Sequence, residues 1–283
     1  MNYDKFYTKS SVAEQCYNLL GEKLGDLSEY TFLEPSAGDG KFLPYLKNFE
    51  AYDILPEGEN IIQQDFLTWE PNKLDYITIG NPPFGKRSKL AVGFFNKCAT
   101  CSKVIAFILP VSFMKYGVQK QLDKDFKLIS SFLLDENSFT ADGEDFSVRC
   151  VFQIWVKAES EFDNFEDLRK KESSPITHED FQIWQYNATP ESLNVINKDW
   201  EIAFFRQGYH NYNECFTSDM KEEIYKRMTG EKKQQFFFIK PTNEAVKNKI
   251  LSLDMNLLAA RNTATPGFGK ADFVEFYTEN IGS

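Results

Sequence analysis

The chain has 283 residues, 42% of them hydrophobic and 16% aromatic, which is material for one catalytic domain with a buried core and a second, smaller domain. Its 42 acidic against 32 basic residues leave a net charge of −10, which argues against a uniformly basic nucleic-acid binder and leaves any phosphate contact to local patches. Five cysteines, no secretory leader and no apolar run long enough to cross a membrane point to a reducing interior and a cytoplasmic location.

Ser11 to Leu20 reads as an amphipathic helix with Val12, Cys16, Leu19 and Leu20 on one side. The run Tyr30 to Leu33 reads as a strand that enters Glu34-Pro35-Ser36-Ala37-Gly38-Asp39-Gly40, and Lys41 to Leu46 then reads as the start of a helix. Glycines at such a turn let backbone amides approach a ligand. The third glycine of the dinucleotide fingerprint is missing, which argues against NAD or FAD. Ala51-Tyr52-Asp53 reads as a second strand ending in an acid, and Ile61 to Phe66 as a third with Asp65 near its end. Asp53 is placed to accept the hydroxyls of a ribose, and Asp65 to accept from an adenine amine. Either acid taken alone suits a turn or a helix cap as well.

Leu74 to Gly80 reads as a buried strand that delivers Asn81-Pro82-Pro83-Phe84 at its carboxyl end, where open α/β sheets bind ligands. The Asn81 side-chain oxygen and the Pro82 carbonyl can both accept from one exocyclic NH2 group, and Phe84 can stack on the ring that carries it. The same four residues would also make an ordinary turn. Lys86-Arg87-Ser88-Lys89 follows directly and would put positive charge at the mouth of such a site, or form a solvated loop. Leu90 to Cys101 reads as a helix with Leu90, Phe94, Phe95 and Cys98 on its apolar face. Cys98 and Cys101 have the spacing of a zinc or redox pair, but no second pair accompanies them and His178 and His210 are distant in sequence. They read as thiols on that helix, and no metal site is expected.

Val104 to Leu109, closed by Pro110, is a fifth strand, Val118 to Leu122 a helix, Leu128 to Leu134 a sixth strand and Ser147 to Trp155 a seventh. The alternation predicts an α/β fold, a doubly wound, mostly parallel seven-stranded sheet with helices on both faces. Asn137 to Asp145 reads as a polar loop on the catalytic side, with Phe139 or Phe146 walling a base pocket. Composition shifts at Ala158, where an acidic run begins, which sets a domain boundary: 1–158 catalytic, 159–283 a smaller α+β region. Strands are expected over Phe181 to Tyr186 and Glu201 to Arg206, and helices over Met220 to Met228 and Glu244 to Leu253. Arg206 to Asn213 and the flexible loop Arg261 to Lys270 mix amides, aromatics and cations that read bases, or form surface turns. Most of the 27 phenylalanines are assigned to core packing.

The order of glycine turn, acid, acid and Asn-Pro-Pro-Phe, each ending a successive strand, resembles the S-adenosylmethionine-dependent amino-methyltransferases of the Asn-Pro-Pro-Phe type. It is most similar to those that methylate N6 of adenine in DNA and carry a C-terminal target-recognition region. The resemblance covers about the first half of the chain, fading after Val151 to Val156, and includes the N-terminal segment Asp4 to Lys9. It implies a Rossmann-like fold whose last strand runs antiparallel between the fifth and sixth. It implies S-adenosylmethionine held by Tyr7, Thr8, Glu34, Pro35, Ser36, Gly38, Gly40, Asp53, Asp65 and Asn81, with Asn81, Pro82 and Phe84 catalytic. Pro83, Lys86, Arg87, Lys89, Phe139, Phe146 and Arg206 would face the substrate, DNA with a flipped-out adenine. Residues 159–283 would recognise the target, and any restriction nuclease would be a separate protein, since no nuclease motif is visible. Other exocyclic amines fit the motif too: N6 of adenine in RNA, guanine N2, cytosine N4 or a glutamine amide. A catalytically silent cofactor-binding module is the remaining alternative.

Overall fold

The computed structural model describes residues 6–135, 137–141, 143–261 and 266–280. Asp4 and Lys5 of the N-terminal segment, Asp142 of the polar loop and Asn262 to Thr265 of the C-terminal loop lie outside the described residues.

Two compact units divide the chain, 1–171 and 172–283. The division falls beyond the expected boundary at Ala158, because the acidic run returns to the first unit. Asp163 pairs with Lys127 at 2.6 Å and Glu161 with Lys103 at 2.7 Å. The Leu128 amide donates to Asp167 at 3.1 Å, and the Lys170 amide to Gln119 at 2.7 Å. What reads as a linker by composition is a strap on the first sheet.

The first unit runs β1 (Tyr7–Thr8), α1 (Ser10–Leu24), β2 (Phe32–Glu34), β3 (Phe49–Asp53), β4 (Ile62–Gln63), β5 (Tyr76–Gly80), α2 (Lys89–Ala99), β6 (Ser102–Pro110), α3 (Tyr116–Gln119), β7 (Phe126–Leu133), β8 (Phe139–Ala141), β9 (Glu144–Phe146) and β10 (Cys150–Lys157). Its main sheet has seven strands in the order β4-β3-β2-β5-β6-β10-β7. All neighbours are parallel except β10, which lies antiparallel between β6 and β7. The expected doubly wound sheet is therefore present, with its last strand inserted as the resemblance implies.

Strand periodicity sorts the core into two layers. Ile77, Ile79, Val104, Ala106 and Ile108 face one way and pack with Val12, Ala13, Cys16 and Leu20 of α1. Tyr76, Ile105, Phe107 and Leu109 face the other way and pack with Phe94, Phe95 and Cys98 of α2. Strands covered on both faces carry apolar residues in unbroken runs, which is why β5 and β6 were legible in the sequence. Thr78, buried among them, is satisfied by a 2.6 Å hydrogen bond to Ser102.

Local expectations differ from the structure at several places: α3 covers Tyr116–Gln119 rather than Val118 to Leu122, Cys101 falls just beyond α2, and two larger differences follow. In place of a helix over Lys41 to Leu46 there is a single 3-10 turn, Leu43–Tyr45, whose amides reach back three residues. Pro44 has no N–H to continue an α-helical ladder, and Leu46 is already extended (ψ 121°) on the way to β3. The polar loop 137–145 is a β-hairpin, β8 with β9, whose first strand pairs antiparallel with β1 in a small sheet ordered β1-β8-β9.

The second unit is built on an antiparallel four-stranded sheet in the order β11-β14-β12-β13, from β11 (Phe181–Tyr186), β12 (Ile202–Gln207), β13 (Cys215–Thr217) and β14 (Gln235–Pro241). Helices α4 (Lys221–Thr229), α5 (Glu244–Ser252), α6 (Met255–Ala259) and α7 (Lys270–Asn280) complete it. β14, unnoticed in the sequence, is an internal strand: Phe236, Phe237, Phe238 and Ile239 are all fully buried. With Phe204, Phe205, Phe216, Phe268, Phe273 and Phe276, they form one core, which accounts for much of the phenylalanine content. Among the described residues no helix is long and apolar enough to cross a membrane.

Candidate functional site

Strand order reverses direction at β2, with β3 on one side and β5 on the other. Such a switch point opens a crevice at the carboxyl ends of the strands. A cavity of about 380 Å³ lies there. Ten of the residues expected at a site line it: Tyr7, Thr8, Glu34, Pro35, Ser36, Gly38, Asp53, Asp65, Asn81 and Pro83.

The glycine turn is braced from β3. Gly38 adopts φ +54°, and its amide donates to Asp53 Oδ2 at 2.8 Å. The other carboxylate oxygen of Asp53 accepts the Leu55 amide at 2.8 Å. Asp53 thus holds the turn and its own strand end together, while each oxygen keeps a further lone pair for a ligand. Gly40, at φ +78°, stands behind the lining, where an added Cβ would meet Leu43 at 3.2 Å. Asp65 also has a local role, capping the 3-10 turn Phe66–Thr68 through the Leu67 amide at 3.0 Å.

Glu34 is only 2% exposed, and its Oε2 is buried with no hydrogen-bond partner. Burial, together with the nearby charges of Asp39 and Asp53, holds its carboxyl well above the ordinary value. A buried carboxyl oxygen in the cavity wall with no hydrogen-bond partner leaves a polar group for a ligand to satisfy.

Asn81 is held in the cavity wall from one side. Its Nδ2 donates to Thr8 Oγ1 at 3.2 Å and to the Phe6 carbonyl at 3.5 Å. A backbone carbonyl only accepts, so this pairing assigns the NH2 to the β1 side. The opposite atom, Asn81 Oδ1, is buried and has no partner. Ser36 Oγ donates to the Asn81 carbonyl at 3.2 Å, tying the glycine turn to the end of β5. Pro82 is buried, and Phe84 is half-buried against both core layers.

Other expected residues lie elsewhere. Lys86, Arg87 and Lys89 are exposed and outside the cavity lining; Arg87 (φ +55°) and Ser88 (φ +61°) take left-handed conformations, and Lys89 begins α2. Phe139 does not wall the cavity: it is 1% exposed in the core, opposite Thr8 in the ladder. Phe146 stacks on Phe6, ring centroids 4.5 Å apart, and it is Phe6 that lines the cavity. Arg206 belongs to the second unit, where it donates to Gln235, while its Nε is buried without a partner and burial lowers its pKa. It is a half-buried brace of that unit rather than a free base-reading side chain.

Sequence reasoning missed the apolar rim. Ile54, Leu55, Leu67 and Leu90 line the cavity, yet each is 37–47% exposed. The available signal was position, since Ile54-Leu55 directly follows Asp53 and Phe66-Leu67 directly follows Asp65. Apolar side chains beside strand-end acids provide flat contacts for a heterocycle whose edge the acid holds. Cys98 and Cys101 are buried, and burial raises both thiols. Among the described residues no three His, Cys, Asp or Glu side chains are grouped to hold a metal.

Comparison with known proteins places relatives beside this geometry. Two viral methylases share part of the chain. Modification methylase CviBIII of Paramecium bursaria Chlorella virus NC1A is 24% identical over 178 residues, 47% of this chain and 45% of its own length. Type II methyltransferase M.CvrRI of Paramecium bursaria Chlorella virus XZ-6E is 24% identical over 142 residues, 38% of this chain and 36% of its own. The chain therefore spans less than half the length of these curated relatives. Among solved structures, 23S rRNA methyltransferase ErmE aligns over 99% of this chain and 100% of its own at 12% identity, with a TM-score of 0.40. No family model matches the chain.

Proposed function

We propose that this protein is a methyltransferase that uses S-adenosylmethionine to methylate the exocyclic N6 amine of adenine in DNA. The observation that carries the reading is the buried, unpartnered Oδ1 of Asn81 in the cavity wall, with the amide turned so that its acceptor is left for a ligand. A buried acceptor without a partner costs about 1–3 kcal/mol, and an incoming NH2 group recovers it. The two relatives named as methylases support the same chemistry.

The residues present fit S-adenosylmethionine. Asp53 and the unsatisfied Glu34 carboxyl offer polar partners in the cavity wall, and Gly38 keeps the backbone open beside them. Asp53 would hold a ribose, Asp65 the edge of an adenine ring, and Ile54, Leu55 and Leu67 its faces. Tyr7, Pro35 and Ser36 would complete the cradle, with Gly40 shaping the turn behind it. When bound, S-adenosylmethionine supplies an electrophilic methyl group on a sulfonium.

The chain's own part is to present the amine. An aromatic amine is a weak nucleophile because its lone pair is delocalised into the ring. Accepting hydrogen bonds from its two N–H groups at Asn81 Oδ1 and the Pro82 carbonyl would favour a pyramidal nitrogen and aim the lone pair, so placement carries most of the rate. Phe84, with Pro83 beside it, would stack on the extruded base and return about 1–3 kcal/mol of the forfeited base stacking. Lys86, Arg87 and Lys89 would hold flanking phosphates, and the second unit would recognise the target sequence. Any cognate nuclease would be a separate protein.

Asn81→Ala tests the assignment. Methyl transfer should fall by several orders of magnitude while cofactor affinity by calorimetry stays near that of the unaltered protein. Near-normal turnover would show that Asn81 does not hold the reacting amine.

A further inference from the structure

Resting on the proposed methylation of DNA, we infer that the surface around Arg149 receives a nucleotide beside the target adenine, the guanidinium taking its phosphate and Met114 and Leu133 its less polar parts. Arg149 stands directly before β10, the strand inserted between β6 and β7. Its carbonyl accepts the Val111 amide at 3.3 Å, and the next residue, Cys150, pairs with Pro110 and is fully buried. The backbone of Arg149 is therefore fixed at the carboxyl ends of β6 and β7, on the edge of the sheet where Asn81 also lies.

Arg149 is half-buried, yet among the described residues it has no hydrogen bond, ion pair or ring contact. Acids outnumber bases 42 to 32 in this chain, so carboxylates are plentiful. Asp145, the acid nearest before it in sequence, is engaged by Lys9 at 2.7 Å. A guanidinium that has shed part of its hydration without gaining a partner favours an incoming anion, and its fork matches two oxygens of a phosphate. The flanks are apolar. Met114 ends the 3-10 turn Val111–Met114 that follows β6 and is 46% exposed, and Leu133 ends β7 and is 59% exposed. Since β10 lies between β6 and β7, these two residues stand on either side of the chain that carries Arg149. Apolar side chains around one unpaired cation suit a nucleotide, which brings a phosphate together with a base and a sugar. A carboxylate on a partner protein would meet the same chemistry, but continuity with the catalytic turn favours nucleic acid. Ser112, in the turn after β6, shares a 2.9 Å hydrogen bond with Ser88, which sits in the basic run that follows Asn-Pro-Pro-Phe. Cations thus flank the turn after β6, with Lys86, Arg87 and Lys89 on the β5 side and Arg149 on the β10 side.

Arg149→Gln removes the charge, and Arg149→Lys keeps it. With the full-length protein, S-adenosylmethionine and unmethylated duplex DNA, Arg149→Gln should raise KM for DNA about 10-fold. It should also reduce the slope of log affinity against log salt by about 0.9, the loss of one phosphate contact. kcat at saturating DNA, calorimetric cofactor affinity and melting temperature should hold. Arg149→Lys should restore the slope but only part of KM, because an ammonium lacks the fork. Added to the alanine variant of Lys86, Arg87 and Lys89, Arg149→Gln should lower the slope by about 0.9 more, since separate phosphates contribute independently. Leu133→Ser should raise KM with the slope unchanged, and a normal KM there would overturn the apolar part of the inference. An unchanged slope and KM in Arg149→Gln would overturn it entirely, as would an Arg149→Lys slope no better than that of Arg149→Gln. So would a fall in melting temperature with the slope unchanged, which would make Arg149 a brace. Self-association in sedimentation that Arg149→Gln abolishes while DNA binding stays would make the surface an interface between copies, and would also overturn it. If the unaltered protein transfers no methyl group to DNA, the proposed function fails; transfer to DNA that is indifferent to Arg149 fails this inference alone.

Discussion

At the scale of single residues, the acids of the cavity carry two jobs at once. Asp53 braces the glycine turn through Gly38 and Leu55 and also lines the proposed cofactor cradle. Asp53→Ala should therefore cost about 2 kcal/mol in denaturant unfolding, since hydrogen bonds to a charged group contribute on that order, and should weaken S-adenosylmethionine binding by calorimetry. Reduced stability with affinity retained would make Asp53 a brace alone. Glu34 gives a pH signature. Its folded-state carboxyl lies well above the ordinary value of 4.5, so the folded chain holds that proton more tightly than the unfolded chain. The resulting stability is fully present below about pH 4.5 and is lost as pH rises through the raised pKa. Thermal melts of Glu34→Gln across that range should show a flatter profile than the unaltered protein; identical slopes would place the proton elsewhere. The residues that carry these roles were legible because each ends a strand, whereas Ile54, Leu55 and Leu67 were not, because an exposed apolar residue outside a long element has no periodicity to announce it, and Leu90 was read only as part of a helix's apolar face.

At the scale of elements, the N-terminal strand depends on a hairpin more than a hundred positions further along the chain. β1 pairs with β8, Lys9 reaches Asp145 at 2.7 Å, and Phe6 stacks on Phe146. The aromatic pair is worth about 0.5–1.5 kcal/mol beyond its burial, enough to bias whether a two-residue strand stays in place. Phe146→Ala should speed hydrogen exchange at the Lys9 amide and lower turnover; unchanged exchange would mean that the β1–β8 ladder holds the strand by itself. The hairpin escaped the sequence reading, although Asp142-Gly143 between Ala141 and Glu144 is a strong two-residue turn signal. β14 escaped for another reason. Its apolar run, Phe236-Phe237-Phe238-Ile239, is only four residues long and follows the polar stretch 230–235, so it is less conspicuous than β6 or β10 although it is buried as they are. By contrast, β5, β6 and β10 were plain as apolar runs bounded by turns; their alternation with helices pointed to a mostly parallel sheet, and the place of the last strand came from the resemblance.

At the scale of the whole molecule, a net charge of −10 sets a polyanionic substrate against the protein's overall field. Binding then rests on local cations, and Lys86, Arg87 and Lys89 are exposed beside the Asn-Pro-Pro-Phe turn. Replacing all three by alanine should weaken DNA binding and flatten the dependence of log affinity on log salt by about 0.9 for each phosphate left without its cation. An unchanged slope would show that other residues neutralise the phosphates. The assignment of 172–283 to target recognition is open to the same titration, carried out on sequences that differ in their adenine sites. The central claim is methyl transfer to adenine N6 in DNA, and one measurement meets it directly. The protein is given S-adenosylmethionine labelled in its methyl group, with unmethylated DNA, total RNA and bulk protein in parallel reactions, and the labelled polymer is digested and analysed. The account predicts label in DNA, recovered as N6-methyladenine and absent with Asn81→Ala; label confined to RNA or protein, or none despite cofactor binding, would contradict it.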